Sequence, residues 1–146
     1  MKQYIGTKII QAEPKMRKVP AENCLADRGF EDGYKVIYPD GYESWSPKDV
    51  FEAAYRATDG MSFGLAIEAA KIGKKIARAG WNGKGMFLFL ATDIEFYTKA
   101  DLSCVSELEG DLTLPAFVMK TADDHFCVGW LASQTDMLAD DWKIVE

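Results

Sequence analysis

The chain has 146 residues, 48% hydrophobic and 12% aromatic, enough apolar surface for a packed core and too much for a disordered chain. Its net charge of −6 and pI near 4.8 argue against a general nucleic-acid binder, which carries a basic face, and leave open a protein that imitates nucleic acid. Cys24, Cys104 and Cys127 are odd in number and widely spaced, as expected of reduced thiols in a cytosolic protein; no signal-peptide core follows Met1 and no run reaches membrane-spanning length.

Residues 4–11 alternate and are rich in β-branched types, with Ile5, Thr7 and Ile9 on one side, so a strand is predicted there. Glu13-Pro14 ends it, because proline lacks a ladder donor and restricts the residue before it. Residues 15–32 are polar, hold Pro20 and Gly29, and read as a loop with a short turn. Residues 33–38, then Pro39-Asp40-Gly41, then 42–45 read as a hairpin: proline presets the first turn φ and glycine takes the left-handed position. Ser46-Pro47-Lys48-Asp49 starts a helix, with Ser46 as N-cap, Pro47 in the first position and Asp49 closing a capping box. Val50, Phe51, Ala54 and Tyr55 give that helix its apolar stripe. Residues 1–58 thus form a small α+β module, short for an independent core.

Thr58-Asp59-Gly60 reads as a turn, after which Ser62 caps a helix over 63–72 with Phe63, Ala66, Ile67 and Ala70 on one face and Gly73 as C-cap. A short strand over 74–79 leads into Gly80-Trp81-Asn82-Gly83-Lys84-Gly85, then a continuous apolar run, Met86 to Leu90, that reads as a strand buried on both faces. A glycine-rich loop on a rigid strand can fold around a small molecule; it can equally be a tight hairpin whose Trp81 covers the core. Residues 92–114 are acidic and read either as a solvated face or as a functional connection. A second hairpin follows, with strands at 115–120 and 125–130 around Thr121-Ala122-Asp123-Asp124. Ser133-Gln134-Thr135-Asp136 places four small polar side chains in a row, and 140–145 is the last strand. The fold class expected is α+β: a small antiparallel sheet packed with one or two helices over 61–146, plus the N-terminal module.

The residues point to binding rather than catalysis. The single histidine, His125, shares a strand face with Cys127 in this reading, but no acid or ligand set at metal spacing joins them. Asp140 and Asp141 are adjacent, so on a strand they point opposite ways and cannot flank one bond. The glycine turn lacks the spacing of a P-loop or a dinucleotide fingerprint. No catalytic residue, metal or cofactor is therefore assigned. As a binding surface, Trp81 offers a face on which a nucleobase stacks, worth about 1–3 kcal/mol. Asn82 and Gln134 can read a base edge or ribose; Ser133, Thr135 and the amides around Gly83 can donate to phosphate oxygens; Arg78 and Lys84 can balance a diphosphate. Asp136 can accept from ribose hydroxyls, or it can cap the helical turn before Met137 and Leu138. Met86, where the turn enters its strand, completes the candidate ligand-binding set. Trp130 and Trp142 are assigned to the core.

Ser62-Phe63-Gly64-Leu65-Ala66, Gly80-Trp81-Asn82-Gly83-Lys84-Gly85-Met86 and the run Trp130-Leu131-Ala132-Ser133-Gln134-Thr135-Asp136-Met137-Leu138-Ala139-Asp140-Asp141-Trp142 resemble the second Thoeris anti-defence family of bacteriophages, over roughly 61–146. The resemblance implies a homotetramer that acts in the cytoplasm of an infected cell as a sponge. It would sequester cyclic ADP-ribose signals made by bacterial TIR-domain defence proteins, or cyclic oligonucleotides, without cleaving them, and without membrane or direct nucleic-acid binding. It maps the binding motifs onto Trp81, Asn82 and Gly83 and onto Ser133, Gln134, Thr135 and Asp136. Residues 1–58 lie outside that resemblance and look like an extension found in other phage proteins. The rival reading is an acidic protein that occupies a host factor in place of another protein or a nucleic acid; a small hydrolase using Asp136 or Asp141 is the third.

Overall fold

A computed structural model describes residues 1–3, 7–18, 29–92 and 114–146. The chain divides into two compact units, Met1–Arg56 and Ala57–Glu146. Among the described residues there are ten strands, all paired antiparallel, and three helices, an α+β architecture. None of the described helices is long and apolar enough to cross a membrane.

In the first unit β1 (Gln11–Pro14), β4 (Gly33–Ile37) and β5 (Glu43–Pro47) form a sheet in the order β1-β4-β5, and β2 (Arg17–Lys18) pairs with β3 (Phe30–Glu31). The β4–β5 hairpin turns as its sequence predicts. Gly41 donates to Tyr38 O at 2.9 Å with φ +84°, a left-handed position that glycine takes without steric cost. The indole of Trp45 lies so close to Gly33 that a Cβ there would overlap it, and its Nε1 donates to Lys15 O at 2.7 Å. Val36 is fully buried, and the Phe51 ring of α1 (Lys48–Ala54) stacks between Tyr34 and Tyr55 at 4.1 and 4.9 Å.

Four expectations for this unit are corrected. The first strand is Gln11–Pro14, not 4–11: residues 7–10 have no regular structure and 4–6 lie outside the described residues. Pairing with β4 decides, not β-branched content, and Pro14 is tolerated because β1 is an edge. The expected loop over 15–32 contains the β2–β3 ribbon; 19–28 lie outside the described residues. Ser46 does not cap α1: its backbone pairs with Tyr34 in the ladder, and Pro47 is the N-cap with no side-chain cap bond. Of the predicted stripe on α1, Phe51 is half-buried while Val50 is 60% exposed.

The second unit holds α2 (Phe63–Lys71), β6 (Lys75–Arg78), β7 (Phe87–Ala91), β8 (Ala116–Lys120), β9 (Phe126–Val128), α3 (Gln134–Met137) and β10 (Trp142–Val145), with sheet order β10-β6-β7-β8-β9. The helix α2 buries Ala66, Ala69 and Ala70, whose small side chains let the backbone approach the sheet. They meet Met61, Ile76, Leu88 and Trp142 in one core cluster. Ser62 holds the N-cap position without a side-chain bond, and Gly73 at φ +83° follows the helix as predicted. On β7 the two faces differ. Leu88 and Leu90 join the core, while Phe87 and Phe89 are half-buried on the opposite face, so the continuous apolar run is not sealed on both sides. Strand β9 ends at Val128 because Gly129 turns at φ +83°, and both Gly129 and Trp130 donate to Phe117 O. His125 precedes the first residue of β9 and lies at the hairpin tip, not on the strand with Cys127. Nearly all of the acidic connection falls in 93–113, outside the described residues.

Candidate functional site

The glycine turn joins β6 to β7, and the Ser133–Asp136 segment sits just before β10, the strand that pairs with β6. Sheet order alone therefore brings together two motifs more than 50 residues apart in the chain. Arg78, the last residue of β6, lies opposite Trp142. Its Nε donates to Asp141 Oδ1 at 2.8 Å and its Nη1 to Asp136 Oδ1 at 2.9 Å. A weaker bond reaches Thr135 O at 3.4 Å. Gly80 N–H donates to the other Asp141 oxygen at 2.8 Å.

Around α3 the local sequence explains the geometry. Ser133 is the N-cap, and a capping box with Asp136 satisfies amides that the first turn leaves orphaned. Ser133 Oγ donates to Asp136 Oδ2 at 2.6 Å, Ser133 N–H donates to the same oxygen at 3.1 Å, and Asp136 N–H donates back to Ser133 Oγ at 3.2 Å. Ser133 and Thr135 hydroxyls lie 2.8 Å apart. Asp136 O accepts from the indole of Trp142 at 2.9 Å. The Ser133, Gln134 and Thr135 side chains face solvent.

Trp81 is half-buried. Its ring meets Trp142 and Trp130 edge-on, with centroids 5.5 and 6.2 Å apart, and its Nε1 donates to Asp136 Oδ1 at 3.4 Å. Phe63 and Phe117 extend the aromatic wall through Trp130. Trp142 is fully buried and Trp130 packs against the core, as expected of both. Asn82 and Lys84 are exposed at the turn, with Gly83 and Met86 half-buried beside them. Gly83 packs closely: a Cβ there would overlap the Met86 sulfur and touch Ala122, so the Met86 side chain would have to move.

One cation thus serves two carboxylates. The Asp141 and Asp136 hydrogen bonds raise the Arg78 pKa, and the Arg78 bond holds Asp141 below the ordinary carboxylate value. Burial pushes Asp136 upward, but its bonds from Ser133, Arg78 and Trp81 outweigh that and hold it below its ordinary value too. Both acids are ionised at neutral pH. Sequence reasoning placed Arg78 and Asp136 here but missed Asp141 as their third partner. Only the pairing of β10 with β6 brings Asp141 beside Arg78, and no local signal in the sequence marks it. His125 is exposed, with Nδ1 3.2 Å from Asp123. Among the described residues no group of His, Cys, Asp and Glu is placed to hold a metal. A groove of about 270 Å³ in the first unit is lined by Lys15, Lys35, Glu43, Ser44 and Trp45, none of them a predicted site residue.

Residues 61–145 match the Thoeris anti-defense 2-like domain. Over 85 residues the chain is 40% identical to Thoeris anti-defense 2 of Bacillus phage SP01, a match covering 58% of this chain and 94% of that relative. Residues 1–60 fall outside the family match.

Proposed function

Since the chain belongs to the Thoeris anti-defense 2-like family, we propose that it is a phage anti-defence protein that binds a cyclic ADP-ribose-type signal and sequesters it intact. It acts in the cytoplasm of the infected cell. The observation that carries this reading is the meeting of the Trp81 turn with the Ser133–Asp136 segment, within the matched domain. In it, the exposed part of Trp81 offers a partial stacking surface, Asn82 and Gln134 read polar edges, and Ser133, Thr135, the amides around Gly83 and Lys84 take the phosphates, with Met86 closing the turn behind them. Sequestration needs affinity and no chemistry. Asp136 and Asp141 each bond Arg78, which fits a binding surface better than an acid–base pair.

The exposed polar groups leave one side of a bound nucleotide open to water. Leu131 and Leu138, 88% and 74% exposed, flank α3 and suit burial against another copy of the chain. A homo-oligomer, with a homotetramer as the expected form, follows from this reading. The test is to incubate the protein with a cyclic ADP-ribose isomer, remove free ligand, denature by heat and analyse what is released. Intact ligand in stoichiometric amount supports sequestration; hydrolysed ligand means an enzyme, and no retained ligand removes the proposal.

A further inference from the structure

The geometry points to Asp136, braced through Arg78 by Asp141, as a positioning residue that fixes the Trp81 turn, rather than a group that touches a ligand. The functional half of this inference rests on the nucleotide-binding reading; the structural half does not. A carboxylate offers about four acceptor positions. Asp136 fills four: Arg78 Nη1 and Trp81 Nε1 on Oδ1, Ser133 N–H and Oγ on Oδ2. None is left for a ribose hydroxyl without breaking a bond already made. Asp141 takes Arg78 Nε on one oxygen and Gly80 N–H on the other. The two carboxylates therefore hold the turn at two successive residues, by the Gly80 backbone and the Trp81 indole. Arg78 links them, so neither anchor can swing out without unpairing a part-buried charge. The Trp81 N–H is bonded to Asp136 and its ring packs against Trp130 and Trp142 in T-shaped contacts, which limits how the indole can reorient.

Two measurements test this. The first needs no ligand. Nitrogen-15 NMR follows hydrogen exchange at the Trp81 indole N–H in Asp136→Ala, with the Trp45 indole, bonded to Lys15 O in the other unit, as control. Exchange at Trp81 should rise about three- to tenfold while Trp45 is unchanged, the loss expected for one long hydrogen bond of 3.4 Å. Unchanged exchange at Trp81 in the folded variant overturns the inference. The second is a double-mutant cycle on Kd for the tightest-binding cyclic ADP-ribose isomer, using Asp136→Ala and Trp81→Phe, which keeps an aromatic ring but removes the pyrrole ring with its N–H. If Asp136 acts through Trp81, each single change weakens binding about tenfold and the double falls well short of about a hundredfold. A full hundredfold loss means Asp136 meets the ligand directly and overturns the inference. Should Asp136→Ala fail to fold, Asp141→Ala, which leaves the capping box intact, takes its place: exchange is then read at the Gly80 backbone amide, which Asp141 holds, and unchanged exchange there overturns the inference. If wild-type protein binds no cyclic ADP-ribose isomer, the nucleotide reading fails, and the exchange measurement alone decides the positioning role.

Discussion

Replacing Arg78 with alanine tests the electrostatics of the second unit most sharply. The change removes two charge-assisted hydrogen bonds, at 2.8 and 2.9 Å, and leaves Asp136 and Asp141 facing the vacated space as anions. Such a bond contributes about 1.5–3 kcal/mol. The Asp136 bond takes that range because its side chain is only 14% exposed. The Asp141 bond is discounted to roughly 1 kcal/mol for solvent screening, with 35% of that side chain exposed. The expected loss at pH 7 is therefore about 2.5–4 kcal/mol, a drop of roughly 10–30 °C in Tm for a unit of this size. Acid should close the gap. Asp136 and Asp141 have folded pKa values held below their unfolded ones, so their contribution is complete above about pH 4 and disappears as pH falls through the lowered values. Urea denaturation of wild type and Arg78→Ala, followed at pH 7 and again near pH 3, reads both effects. A loss under about 0.5 kcal/mol at pH 7, the size of an ordinary surface change, would refute the assignment, as would a gap that persists undiminished in acid.

Three further changes have defined outcomes. Gly83→Ala places a Cβ against the Met86 sulfur and Ala122, so thermal melting should show a loss of about 1–3 kcal/mol from overpacking. Ser133→Ala removes the N-cap of α3 and a donor to Asp136, and should cost about 0.5–2 kcal/mol in chemical denaturation. Trp142→Ala empties the centre of the second unit's core, and the expected loss of about 3–5 kcal/mol should appear as loss of cooperative unfolding by that unit.

What could be read from the sequence was mostly local chemistry. Pro39-Asp40-Gly41 specified its turn because proline and glycine restrict the backbone whatever surrounds them. The capping role of Asp136 was legible for the same reason, since Ser133 lies three residues before it. The first strand was misplaced because β propensity does not choose a ladder partner, and Gln11–Pro14 is where β4 lies alongside. Ser46 looked like a cap, but a strand that continues through it uses its backbone otherwise. The Arg78–Asp136–Asp141 network was out of reach, because it depends on β10 pairing with β6 across more than 60 residues of chain. Trp81 was foreseen as a possible cover for the core or as a stacking face. Its ring packs against the core while remaining half-exposed, so both descriptions hold in part.

Sequestration makes one demand that calorimetry can check directly. Titrating cyclic ADP-ribose isomers into the wild-type chain, and into a folded Trp81→Ala variant, should give saturable, stoichiometric heat with the first and a Kd weakened at least about tenfold with the second, the loss of one stacked base contact. No heat from any isomer, or equal affinity without the indole, would contradict the claim that this turn holds a nucleotide.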